Sequence, residues 1–211
     1  EFDGLDTRTQ FPEVLRRFAD FAGVSVDDAP PSPGQRTAPA KKTVDSGRET
    51  VYDYTDDAGS VIFQVVRRDT PKGKKIFQRH PDGAGGWVNN LEGVTLTLYN
   101  LPDVLEAAGR GGCVYVVEGE KCVESLRGHG LTATCNPMGA GKWTDEFSQL
   151  LAGAHVYVIP DDDTPGRNHA EAVAASVHGV AASVHVVPLY VSGETKRDVA
   201  DWLHEEHTAS E

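Results

Sequence analysis

The sequence has little cysteine and no long apolar run. Its 211 residues include three cysteines, at positions 113, 122 and 135, and none of them form a Cys-x-x-Cys pair. An odd number at these separations indicates neither a disulfide framework nor a structural zinc site. No apolar segment is long enough to cross a bilayer, and the N-terminus lacks the basic-then-apolar order of a signal peptide. We therefore expect a cytoplasmic protein that does not act in a membrane.

An overall excess of positive charge is also missing. The formal net charge is −12 at pH 7, which argues against a surface that presents positive potential to nucleic acid everywhere. The segment from Arg67 to Arg79 is different, because it holds six basic residues and a single acidic one, Asp69. Such a segment is either a solvated hairpin or a surface that contacts phosphates, and charge alone leaves both open.

Periodicity and composition divide the chain into four segments. Residues 1–26 contain an amphipathic helix over residues 9–22, and residues 27–50 have the proline-rich composition of a flexible linker. Residues 51–100 alternate apolar and polar side chains between turn sequences, which predicts a small antiparallel β-rich subdomain. Residues 101–211 alternate short apolar strands with helices. The fold class is therefore α/β, with a parallel sheet of about four strands that helices cover on both faces.

Carboxylates follow two apolar runs that are typical of buried parallel strands. Glu118 comes directly after the first run, and Asp161, Asp162 and Asp163 come after the second. Because the carboxyl ends of parallel strands lie at one edge of a sheet, these side chains should meet there. In an extended backbone Asp161 and Asp163 project to one side and Asp162 to the other. Clustered carboxylates are costly unless a cation neutralises them, and Mg²⁺ prefers such oxygen ligands.

At these residues the sequence resembles the Toprim family, the catalytic domain of topoisomerases, primases and some nucleases. That family has a Glu after its first core strand and an Asp-x-Asp-x-x-Gly-Arg segment after a later one, as Glu118 and residues 161–167 stand here. Residues 196–203 are similar to the third acidic element of its primase members, and the resemblance extends over about residues 112–204. It implies Mg²⁺ or Mn²⁺ as the cofactor, with catalytic and metal-binding roles for Glu118, Asp161 and Asp163 and a further ligand in Asp198.

The members that the chain resembles most are the DNA primases of phages and plasmids. The resemblance implies a Mg²⁺-dependent nucleotidyltransferase that makes RNA primers from ribonucleoside triphosphates on a single-stranded DNA template during replication, with a replicative helicase as a further partner. Lys142 follows a glycine-rich segment without the spacing of a Walker loop, so a purely structural turn is the alternative there. The nucleic-acid and nucleotide contacts that the resemblance implies are those of Arg67, Arg68, Lys74, Lys75, Lys142 and Arg167.

One position departs from the family pattern. Many primases have an Asp four residues after the first Glu, where this chain has Cys122, and a thiol is a poor Mg²⁺ ligand. We expect Cys122 to be a small buried helix residue, and Glu120 is the acidic residue that would substitute for the missing carboxylate. Trp87 lies in a predicted loop as a hairpin anchor, with a base-stacking platform as the alternative. The histidines show no metal-site spacing and are expected on the surface or in helices.

Two other functions are compatible with the same residues. A metal-dependent nuclease would use the carboxylates with water as the nucleophile. A non-catalytic nucleic-acid-binding module would keep the fold without the reaction. The chain begins at Glu1 without an initiator methionine, so it is also compatible with a piece of a longer protein.

Overall fold

The computed structural model describes residues 49–71, 73–190 and 195–208, with the side chains of 205–208 excepted. The predicted helix over residues 9–22, nearly all of the predicted linker and Lys72 lie outside these residues. Segments 1–26 and 27–50 therefore stay predictions. Within the described ranges, no helix has the length and apolar character that a bilayer span requires.

The first part of the described chain is an antiparallel sheet with strand order β1-β2-β3-β4. Its strands are β1 (Glu49–Thr55), β2 (Val61–Thr70), β3 (Gly73–Pro81) and β4 (Trp87–Val88). The predicted hairpin is confirmed, and Gly59 adopts the positive φ of 85° that closes the turn between β1 and β2. Trp87 was predicted in a loop, but it pairs with Pro81 in the short strand β4.

The second part alternates helices and strands as predicted. The four strands β5 to β8 form a sheet of order β6-β5-β7-β8 in which every neighbouring pair is parallel. The predicted α/β architecture is confirmed. In chain order its elements are α1 (Leu101–Gly109), β5 (Cys113–Val116), α2 (Glu120–Gly128), β6 (Ala133–Thr134), α3 (Asp145–Gln149), β7 (His155–Val158), α4 (Thr164–Val177), β8 (Ser183–Val186) and α5 (Val199–Thr208).

Two hydrophobic cores lie on opposite faces of the parallel sheet. Val114, Val116, Val156 and Val158 belong to the core that contains residues of α1, α3 and α4. The alternate strand residues belong to the core that contains residues of α2, α5 and the antiparallel sheet, among them Tyr115 and Tyr157. Successive side chains of a strand point to opposite faces, so four-residue apolar strands supply both cores.

The antiparallel sheet shares the second of these cores. The ring of Tyr54 is fully buried and stacks on Phe63 with a centroid distance of 4.4 Å. The Tyr54 hydroxyl donates a hydrogen bond of 2.8 Å to Glu120 Oε1, at the first turn of α2. The small sheet is therefore joined to the turn that follows β5, two residues from Glu118.

Candidate active site

The strand order places Glu118 and Asp161 where the chain connections diverge. From β5 the chain crosses to β6, whereas from β7 it crosses in the opposite direction to β8. β5 and β7 are neighbours, with Val116 opposite Val158. The segments that follow these strands therefore lie side by side at the carboxyl edge, the place where α/β sheets bind ligands. The predicted meeting of the two motifs is confirmed.

The carboxyl groups of Glu118 and Asp161 lie within hydrogen-bonding reach of each other. Burial raises the pKa of Asp161 to about 7, and the nearby charges of Glu118, Asp198, Asp163 and Asp201 act in the same direction. Burial and the charge of Asp163 also raise the pKa of Glu118. Since like charges this close oppose ionisation, the pair retains a proton well above the pH at which an isolated carboxyl group loses it.

Asp163 and Gly166 bring the N-terminus of α4 against this pair. Asp163 is the N-cap of the helix, and its Oδ1 accepts the Gly166 N–H at 2.8 Å. A Cβ atom at position 166 would lie 2.7 Å from the backbone oxygen of Asp161. The helix can therefore approach the strand end this closely only because residue 166 has no side chain.

Asp162 points away from the pair, as the alternation of an extended strand predicts. Its Oδ2 accepts the Thr195 N–H at 3.2 Å as well as the Thr195 hydroxyl, and its Oδ1 pairs with Arg167 at 3.3 Å. These Thr195 hydrogen bonds, together with the Arg167 charge, hold the pKa of Asp162 below its usual range. Arg167, predicted to bind nucleotide, thus contacts Asp162. Asp162 also exchanges backbone hydrogen bonds with residues 196 and 197 and so fixes the segment before Asp198.

Asp198 caps the last helix and pairs with a lysine. Its Oδ1 accepts the Asp201 N–H at 2.8 Å, and its Oδ2 lies 3.0 Å from Lys121 Nζ. Burial would raise the pKa of Asp198, but the Asp201 N–H and the Lys121 ammonium outweigh it and hold this pKa below the usual range. A role for Asp198 as a metal ligand therefore requires Lys121 to move aside.

Cys122 is buried on α2, as expected, and its environment is acidic. The residue is 4% exposed. Burial raises the pKa of its thiol, and the charges of Asp198 and Asp161 raise it further, so the sulfur stays protonated beside the carboxylates. Glu120 accepts the Tyr54 hydroxyl and is thus engaged by the antiparallel sheet.

The glycine-rich loop before Lys142 is a turn that internal hydrogen bonds hold in place. Met138, Gly139 and Gly141 adopt left-handed conformations, with φ of 68°, 74° and 75°. The side-chain amide of Asn136 donates to the backbone oxygens of Pro137 and Gly139, at 3.0 and 2.9 Å. These hydrogen bonds fix the conformation of the loop, and they therefore also fix the backbone position of the exposed Lys142.

His169 connects this loop to the helix α4. Its Nδ1 accepts the Gly141 N–H at 3.2 Å, and the residue is 6% exposed. It lines a small cavity together with Glu118, Asp161 and Gly166. The histidines were predicted on surfaces or in helices, and none of them was predicted at the site. Helical spacing would have placed this one on the buried face of α4, with Gly166, Ala170 and Val173.

The predicted basic residues are divided between the two faces of the antiparallel sheet. In the β2–β3 register Asp69 faces Lys74 and Arg68 faces Lys75. Opposite residues of a pair point to the same side, so Lys74 and Arg67 lie on the face of Val65, which packs on the parallel sheet. Arg68 and Lys75 lie on the other face, where the Arg68 guanidinium is 5.4 Å from the Phe77 ring centroid.

Trp87 lies at the edge of the antiparallel sheet and is 39% exposed. The Arg79 guanidinium lies 4.6 Å from its ring centroid, a cation–π contact. Arg79 in turn donates to Gln64 Oε1 at 2.7 Å. The ring therefore contacts Arg79 at the β3–β4 edge, and the choice between a hairpin anchor and a base-stacking platform stays a prediction.

The donor set at the sheet edge fits a hard divalent cation. Within residues 49–71, 73–190 and 195–208, no three His, Cys, Asp or Glu side chains form a ready-made metal cage. Mg²⁺ does not require one, because it keeps several waters and is usually bound through one or two carboxylates. The Glu118–Asp161 pair supplies two carboxylates whose pKa values are raised by burial and, in addition, by the charges of neighbouring carboxylates. A cation between them would relieve that repulsion.

No protein-family model and no curated protein matches the sequence. Solved structures do share its fold. The primase fragment of the bacteriophage T7 primase-helicase protein matches with a TM-score of 0.51 and 16% identity, over 79% of this chain and 61% of that one. The Aquifex aeolicus primase, with its zinc-binding and RNA polymerase domains, matches with a TM-score of 0.54 and 21% identity, over 76% and 38%. A DnaG primase catalytic domain bound to single-stranded DNA matches with a TM-score of 0.53 and 20% identity, over 75% and 49%.

The chain therefore has the fold of a DNA primase catalytic core. Both parts agree with the expectation from the sequence, namely the Toprim-like parallel sheet and the antiparallel subdomain before it. The chain spans less than two thirds of the length of each of these three proteins.

Proposed function

We propose that this chain is a primase-type nucleotidyltransferase that joins ribonucleotides on a single-stranded DNA template. The observation that carries the proposal is the Glu118–Asp161 carboxylate pair at the diverging strands of a primase-core fold. Two of the structures with this fold are described as bound to single-stranded DNA and as a fragment of a primase-helicase. These descriptions favour a DNA template and a helicase as partners of this chain.

The proposed reaction uses Mg²⁺, with Mn²⁺ as a substitute. Glu118 and Asp161 would hold the cations, with Asp163 beside them and Asp198 joining once Lys121 is displaced. Bound there, one cation would lower the pKa of the attacking 3′-hydroxyl and the other would stabilise the pyrophosphate leaving group. Lys142, which follows the loop that His169 of α4 contacts, adds a positive charge near the same edge.

A single gel assay tests this function. The purified chain is incubated with single-stranded DNA, labelled ribonucleotides and Mg²⁺ or Mn²⁺, and both new RNA and DNA fragments are resolved. We expect short RNA products that disappear with chelator and in Glu118→Gln, since the amide keeps the shape of the side chain but loses its charge. DNA fragments that depend on Glu118 would instead identify a nuclease, and an absence of both products would contradict the proposed catalysis by this chain.

We expect DNA to bind one face of the antiparallel sheet and not the other. Arg67 and Lys74 lie on the face that also packs on the parallel sheet, so we expect a template that reaches the carboxylates to pass on their side. We expect the double change Arg67→Glu/Lys74→Glu to weaken single-stranded DNA binding. It should also reduce the slope of log K against log salt by about 1.4, because each lost phosphate contact on a single strand contributes about 0.7.

The matched control is the double change Arg68→Glu/Lys75→Glu, which alters the net charge equally on the opposite face. Fluorescence anisotropy of a labelled oligonucleotide at several salt concentrations measures both slopes. An equal loss of slope in both variants would mean that general charge, and not the face toward the parallel sheet, binds the DNA. An unchanged slope in both variants would show that the hairpin does not contact the DNA.

A further inference from the structure

His169 is held in one tautomer and has an unused donor. Its Nδ1 accepts the Gly141 N–H at 3.2 Å, so this nitrogen carries no proton. Burial lowers the pKa of His169, which keeps the ring neutral. The ring proton therefore lies on Nε2. Nε2 is buried and finds no hydrogen-bond partner in the part of the chain that the structure describes.

The cavity beside this ring has room for a single small molecule. Its volume is about 10 Å³, and Glu118, Asp161 and His169 contribute to its lining along with apolar strand residues. That volume accommodates about one water molecule and is too small for a phosphate group. A buried N–H without an acceptor is destabilising, so a water that accepts from it is stabilising.

We propose that His169 is a positioning residue of the site and acts through one water molecule in this cavity. The Nε2–H donates to the water oxygen, and the water donates its own hydrogens to the carboxylates of Glu118 and Asp161. Nδ1 meanwhile holds the loop of Lys142. One side chain thus fixes the orientation of the carboxylate pair and of the glycine-rich loop together. The expected effect on metal binding rests on the proposed function, whereas the bound water does not.

Two substitutions distinguish the roles of the two ring nitrogens. His169→Asn places an acceptor near the position of Nδ1 and removes the Nε2–H, whereas His169→Gln places an N–H near the position of Nε2 and removes the Nδ1 acceptor. His178→Asn is the matched control, because His178 is exposed at the other end of the same helix. Urea denaturation of each variant checks that it is folded.

Calorimetric titration with Mn²⁺ measures the effect on the carboxylates. We expect about 10-fold weaker binding in His169→Asn, the usual cost of removing a group that orients a metal ligand. His169→Gln should bind more tightly than His169→Asn, and His178→Asn should match the wild type. Wild-type affinity in His169→Asn would overturn the positioning role.

Nuclear magnetic resonance of the wild-type protein without metal tests the water directly. We expect the Nε2–H tautomer at His169, with a proton that exchanges slowly and shows cross-relaxation with a long-lived water. A proton on Nδ1, or an Nε2 proton without such a water, would overturn the proposal. If the wild type bound no Mn²⁺, the proposed metal site would fail, and this spectrum alone would decide the role of His169.

Discussion

Asp161→Asn is expected to lower the rate of primer synthesis at least about 100-fold. The carboxylate lies beside Glu118 at the end of β7, and the amide that replaces it has a similar shape but no charge. A metal ion contributes several kcal/mol of charge stabilisation in a transition state, and about 2.7 kcal/mol corresponds to 100-fold in rate. The same substitution should weaken Mg²⁺ and Mn²⁺ binding, which calorimetric titration measures in the absence of DNA and nucleotide.

The same variant should be more stable than the wild type when metal is absent and the pH is high. Burial and the neighbouring carboxylates raise the pKa of Asp161 to about 7 in the folded protein, against about 3.9 in an unfolded chain. Between these values the folded state binds more protons, so the free energy of unfolding of the wild type falls as the pH rises from about 4 to 7. Removing the charge should recover about 1–3 kcal/mol at pH 8, after allowance for solvent screening.

Urea denaturation at pH 5 and pH 8 measures this difference. The control is Asp57→Asn, an identical chemical change in the exposed turn between β1 and β2. Mg²⁺ should offset this difference, since a ligand at 100 times its dissociation constant stabilises the folded wild type by about 2.7 kcal/mol. If the free energy of unfolding depended on pH in the same way in the wild type and in Asp161→Asn, the raised pKa of Asp161 would be contradicted.

Gly166→Ala is expected to displace Asp161 and to destabilise the protein. The added methyl group would lie 2.7 Å from the Asp161 backbone oxygen and 3.1 Å from its backbone nitrogen. Neither atom belongs to a flexible side chain, so the N-terminus of α4 has to move away from the strand end. Overpacking of this kind costs about 1–3 kcal/mol, and the Asp163 cap would shift with the helix.

Gly128→Ala provides the contrast for this prediction. Gly128 is the last residue of α2, and a Cβ atom there would meet nothing within 4 Å. The change should be neutral or slightly stabilising, because alanine favours a helix by up to about 1 kcal/mol over glycine. Thermal denaturation and Mn²⁺ titration are compared for both variants. Equal stability and equal Mn²⁺ affinity in the two variants would show that the position of α4 does not depend on the absence of a side chain at residue 166.

Much of the fold follows from patterns over a few residues. Short β-branched runs that alternate with helical segments predict the parallel sheet, and turn sequences predict the hairpin of β1 and β2. The division of Arg67 and Arg68 between two faces also follows from the period of two in a strand, although charge counting alone treats them as one surface. Trp87 was assigned to a loop because two residues are too few for a recognisable strand pattern.

Local sequence patterns predict which carboxylates end the central strands, and that Asp161 and Asp163 project together while Asp162 projects away. These features depend on backbone periodicity, which acts between neighbours along the chain. The packing of distant segments brings Asp198 to Lys121, 77 positions away, and Tyr54 to Glu120, 66 positions away. The same holds for His169, whose partner Gly141 and neighbouring carboxylates lie on other elements. Contacts between distant residues depend on how the sheets and helices pack, and no local pattern specifies that packing.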